Sequence, residues 1–126
     1  MGRSVRVLVA EDDENKRWLL THYLAKTIPQ AECVPCGSGA EAIAYLQQHA
    51  VDAVVTDHRM SPVNGIELIK WVRQHYAAIP IALVTGHPSI EAEARAAGAT
   101  LVVETQRFGE VGELLRPLLP QDAAAP

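Results

Sequence analysis

The chain has 126 residues, enough for one domain with a real core and too few for two. Apolar residues make up 48% and charged ones 21%, the balance of an ordinary soluble, folded protein and not of a disordered or collagen-like one. The net charge of -4, with Lys and Arg scattered, argues against direct nucleic-acid contact, and no apolar run suits a signal peptide or membrane span, so a cytoplasmic location is expected.

Short β-branched runs alternate with longer amphipathic ones, the pattern of a parallel sheet covered by helices on both faces. Val5–Ala10 reads as the first strand and Asn15–Thr27 as the first helix, with Pro29 as its stop signal and Leu19, Tyr23 and Leu24 turned to the core. Ala31–Cys36 is the next strand and Ala40–His49 the next helix, followed by Ala53–Asp57 and then Gly65–Tyr76, which ends before Pro80. Pro80–Thr85 leads to a helix over Ser89–Ala97, where Gly98 supplies a left-handed stop. Thr100–Glu104 and Glu110–Leu119 complete five strand–helix repeats. The expected domain is 1–119, with residues 120–126 (PQDAAAP) a tail or linker.

In such a sheet, ligands bind beyond the carboxyl ends of the strands. Glu11, Asp12 and Asp13 follow the first strand, Asp57 ends the third and Thr85 ends the fourth, so three strand ends converge on one acidic site. Asp13 is equally well placed to cap the first helix. Asp57 has no such use, because seven residues separate it from the next helix. Carboxylates crowded at the end of a buried sheet repel one another, and Mg2+ is the best-suited remedy: it favours one or two carboxylates together with waters and phosphate oxygens. Such a site can also bring a phosphoryl donor up to an aspartate nucleophile.

These segments resemble the response regulator receiver domain in order and spacing: VRVLVAEDDE its first strand with the acid pair, GSGAEAI its second helix start, VVTDHRM..VNGIEL its phosphoacceptor loop, and IPIALVTG its fourth strand with the switch threonine. The resemblance implies a flavodoxin-like α/β fold, a doubly wound (βα)5 sandwich with a five-stranded parallel sheet of order 2-1-3-4-5. It implies Asp57 as phosphoacceptor, Thr85 as the hydroxyl that meets the phosphoryl group, and a Mg2+ site of Glu11, Asp12, Asp57 and the backbone carbonyl of Arg59. Gly86 matches the small residue the family places beside that hydroxyl, and Arg59 and His87 fall at positions that tune loss of the phosphoryl group. The implied partners are a sensor histidine kinase or histidine phosphotransfer protein, which would dock near Arg17 and Trp18, and a downstream protein effector; homodimerisation is left open. No enzymatic activity is implied beyond acceptance and loss of the chain's own phosphoryl group.

The chain departs from the family after the fifth strand, where receivers carry Lys-Pro and this sequence has Thr105 and Gln106. Its lysines are Lys16, Lys26 and Lys70, none in the final third, and Arg107 is the nearest cation to the vacant position. Val102 stands where many receivers have a switching aromatic, and the loop proline comes one place late, as Pro62. The missing lysine keeps open a second reading, a pseudo-receiver that docks partners without phosphotransfer. A third comes from Cys33 and Cys36, a C-x-x-C before a helix that would suit a thiol redox protein if a thiol sat on the first helical turn; strand register instead predicts packing residues.

Overall fold

In the computed structural model, which describes residues 4–76 and 78–120, strands and helices alternate as β1 (Val5–Ala10), α1 (Glu14–Thr27), β2 (Ala31–Cys36), α2 (Gly39–Leu46), β3 (Ala53–Asp57), α3 (Gly65–His75), β4 (Ile81–Thr85), α4 (Glu91–Ala97), β5 (Leu101–Glu104) and α5 (Val111–Leu115). All strand pairs are parallel and the sheet order is β2-β1-β3-β4-β5, the flavodoxin-like order expected. The tail at 121–126 lies outside the described residues.

Alternation along the strands builds two cores, since successive side chains point to opposite faces. Val7, Val9, Ala53, Val55, Ala82 and Val84 pack beneath α1 and α5, against Leu20, Leu24, Ile28, Val111 and Leu115. Leu8, Ala10, Val54, Ile81 and Leu83 face the other way, against Ala42, Leu46, Ile69, Val72 and Ala94 of α2, α3 and α4. The buried stripe is Leu20 and Leu24 of α1 with Ile28 just after it, whereas of the residues expected in the core Leu19 is half-buried and Tyr23 is 40% exposed. A step of four along the helix keeps those three residues over the sheet, and Tyr23 falls to the side, where its ring meets Phe108 edge-on.

Helix ends follow local chemistry. Asp13 caps α1, accepting from the backbone N–H groups of Asn15 and Lys16, and Ser38 caps α2. Asn64 and Glu67 form a reciprocal capping box on α3. Gly98 ends α4 with φ of 123°, a backbone that L side chains disfavour. The last helix is broken up, contrary to the continuous Glu110–Leu119 expected: a 3-10 segment with a kink at Arg107 leads into five residues of α5, and a second 3-10 turn begins at Arg116, just ahead of Pro117.

Candidate functional site

The alternation that builds the core also aims the acids. Glu11 continues the parity of Val5, Val7 and Val9, and Asp57 that of Ala53 and Val55, so both belong to the face that α1 covers. They lie one step beyond the paired residues Ala10 and Thr56 of neighbouring strands, which brings the two carboxyl groups side by side. Oxygens of Glu11, Asp12 and Asp57 fall within 4.8 Å of one another. Glu11 and Asp57 are buried, while Asp12 is exposed at the rim.

Lys16 projects into this group from the first turn of α1. Helix side chains lean toward the N-terminus, so a lysine in the first turn reaches back over the capping residue to the strand ends. Its Nζ donates to Asp57 Oδ1 at 3.1 Å and lies 3.2 Å from Glu11 Oε1. Burial alone would lower the lysine's pKa, but the charges of Asp57 and Glu11 outweigh it and the pKa is raised, so the ammonium stays protonated. Burial pushes the Glu11 carboxyl up to about 7, and the nearby Asp57 charge adds to the rise, against the Asp13 N–H and Lys16, which lower it.

The donor set fits a hard divalent cation. Glu11 Oε1 is buried with Lys16 Nζ, at 3.2 Å, as its charged neighbour, and a carboxylate oxygen with two lone pairs keeps one for a cation. The cluster supplies carboxylate oxygens alone, the ligands Mg2+ prefers. Beside it opens a depression of about 420 Å³ lined by Asp12, His58, Arg59, Met60, Ser61 and Asn64, wide enough for a phosphoryl group and waters. Gly65 closes the loop after β3: its N–H bonds to the His58 carbonyl at 2.9 Å, and a side chain there would overlap the Asp57 carbonyl.

Residues 7–104 match the response regulator receiver domain family. The chain belongs to that family. The receiver is 32% identical over 114 residues to the heme response regulator HssR of Staphylococcus haemolyticus, covering 88% of this chain and 48% of HssR. It is 30% identical over 86 residues to the DNA-binding transcriptional regulator NtrC of Escherichia coli, covering 68% of this chain and 18% of NtrC. Among solved structures, the response regulator TrrA of Thermotoga maritima, in complex with Mg2+ and BeF, superposes with a TM-score of 0.81 at 26% identity over 91% of this chain and 99% of TrrA. The receiver thus spans at most about half of these two curated relatives.

The remaining expected residues of the receiver divide between pocket and surface. Thr85 is buried at the end of β4; its Oγ1 accepts the His87 N–H at 2.9 Å, which leaves its own O–H to donate elsewhere. Gly86 leaves space beside it, where a Cβ would sit 3.7 Å from Thr105 Oγ1, so Thr105 borders the same opening. His87 and Arg59 are exposed. Arg107 does not stand in for the lysine: the kink in the 3-10 segment turns it outward, where it pairs with Glu110 at 2.7 Å, and Gln106 bonds to Glu104. Arg17, expected to be available for docking, is instead tied to the Glu11 carbonyl at 2.8 Å. Val102 packs against the core beneath α2–α4.

Lys16 is the pocket residue that the sequence alone does not single out. It lies far in sequence from the segment after β5, but the first turn of a helix that directly follows two strand-end acids is where a side chain can reach them. The two cysteines, three apart in a strand, point to opposite faces: Cys36 joins one core and Cys33 borders the other. Burial raises both thiols to about 11, so neither is a reactive thiolate.

Proposed function

We propose that this receiver is a phosphoacceptor of a two-component phosphorelay, with Asp57 as the acceptor, Mg2+ as cofactor and output through protein contacts. The observation that supports it best is Asp57 itself: a buried carboxylate at a strand end, grouped with Glu11 and with Asp12, which lines the adjoining depression. In the reaction, an Asp57 carboxylate oxygen attacks the phosphorus of a phosphohistidine on a histidine kinase or phosphotransfer protein. The P–N bond breaks with its electron pair on the imidazole nitrogen, which takes up a proton, and an aspartyl phosphate remains. Bound Mg2+ supplies charge neutralisation for the incoming phosphoryl oxygens. Glu11, Asp12 and Asp57, with the Arg59 carbonyl, would hold the cation, and Thr85 would donate its hydroxyl to a phosphoryl oxygen. That the structural relative TrrA is in complex with Mg2+ and BeF supports Mg2+ as the cofactor here.

Exposed Trp18, stacked on His22 at 5.0 Å, with Tyr23 and Phe108 beyond, offers an aromatic surface on α1 for the phosphoryl donor protein. The alternative, a docking module without phosphotransfer, predicts a different outcome in one experiment. Incubated with Mg2+ and acetyl phosphate, wild type gains the mass of one phosphoryl group and Asp57→Asn does not. Equal masses overturn the acceptor reading.

A further inference from the structure

We propose that Lys16 is the cation of the phosphoryl site, its ammonium delivered from the first turn of α1 to meet the phosphoryl group as Asp57 attacks; this rests on Asp57 being the acceptor. The carrying observation is geometric. Among the described residues Lys16 is the one cation in an ion pair with Asp57, at 3.1 Å, and the same Nζ holds Glu11 at 3.2 Å. An ammonium carries three hydrogens. One is bonded to Asp57 Oδ1 and one is directed to Glu11, which leaves a third for an oxygen arriving at the nucleophile. The side chain is 22% exposed, so the donor is reachable from the open side of the pocket without being free in solvent.

Charge gives the contact its purpose. A phosphoryl dianion approaching Asp57 also meets Glu11 and Asp12, and a fixed positive group at the nucleophile offsets that repulsion where charge develops. The other basic residues nearby are committed or turned away: Arg17 to the Glu11 carbonyl, Arg107 to Glu110. Arg59 lines the depression on the Asp12 side and is exposed. The step itself balances without a proton from Lys16. With acetyl phosphate, a carboxylate oxygen bonds to phosphorus, the P–O bond to acetate breaks, and acetate leaves with the electron pair.

A mere counterion, present only to quiet Glu11 and Asp57, would behave differently, since its removal would favour Mg2+ and leave phosphorylation no slower. Three measurements separate the roles in wild type, Lys16→Met and Lys16→Arg: Mg2+ affinity by tryptophan fluorescence, beryllofluoride affinity with Mg2+ present, and the rate of mass gain from acetyl phosphate. Lys16→Met should bind Mg2+ at least as tightly as wild type, which also reports a folded pocket, while beryllofluoride affinity and phosphorylation rate each fall about tenfold or more. Lys16→Arg should recover part of both losses, because the charge returns with a different reach. Unchanged beryllofluoride affinity and rate in Lys16→Met, with an Asp57-dependent mass gain, overturn the role of Lys16 alone. Absence of any Asp57-dependent mass gain in wild type overturns the acceptor reading and Lys16's role with it.

Discussion

Lys16 Nζ donates to Asp57 Oδ1 across 3.1 Å, linking the first turn of α1 to the end of β3, 41 residues away in sequence. Removing that ammonium leaves two buried carboxylates facing each other. Lys16→Met should therefore lower stability by about 2–3 kcal/mol in magnesium-free buffer. Added Mg2+ should raise its melting temperature more than it raises that of wild type. Thermal melts with and without Mg2+ check this, and equal gains in the two proteins would contradict it.

Gly65 opens α3, and there an alanine should be costly. In an open helix Gly→Ala gains up to about 1 kcal/mol. Here the new Cβ would overlap the Asp57 carbonyl and crowd a methyl of Leu83, so Gly65→Ala should lose about 1–3 kcal/mol in urea titration. A stabilised variant would show that the loop yields more easily than its packing implies.

Arg73 ties α3 to the far end of the sheet. It donates to the Gly98 carbonyl at 2.8 and 2.9 Å, to the Ile79 carbonyl at 2.7 Å and to Thr100 Oγ1 at 3.3 Å. Arg73→Ala strands these acceptors and should cost about 2 kcal/mol in chemical denaturation. Because the bonds lie away from the acidic pocket, Mg2+ affinity should stay unchanged.

The thiols provide a pH test. Cys33 and Cys36 are raised to about 11 in the folded protein, from an ordinary value of 9.0. The folded state therefore holds its thiol protons more tightly than the unfolded chain. This contribution to stability is fully present below pH 9 and is lost as pH rises from about 9 toward 11. At pH near 8 the thiolate fraction in the folded protein is about a hundredfold below that of the unfolded chain. Iodoacetamide should label the native protein slowly and the denatured protein fast, with no disulfide between the pair. Rapid native labelling at either cysteine would refute the burial argument.

Much of this receiver was legible in one dimension. Short β-branched runs such as Ala53–Asp57, entirely buried, mark the strands of a sheet covered on both faces, and Asp13, Ser38 and Asn64 mark helix starts through side-chain oxygens that satisfy local N–H groups. Glu11, Asp12 and Asp57 could be grouped in advance because a parallel sheet brings its carboxyl ends together. The broken helix after β5 was less legible: Gly109, Gly112 and Pro117 interrupt a pattern whose apolar spacing still looks helical.

By itself the sequence determined the strand–helix order, the parity that turns Glu11 and Asp57 to one face, and the absence of a lysine after β5. Tertiary structure alone decided which cation reaches Asp57. That choice depends on how α1 lies across β1 and β3, because an ion pair needs its groups within about 4 Å and no local pattern encodes a contact between residues 16 and 57. Packing Leu20, Leu24 and Ile28 onto the sheet sets that placement, and the hydrophobic face of α1 thereby delivers Lys16 to the carboxylates.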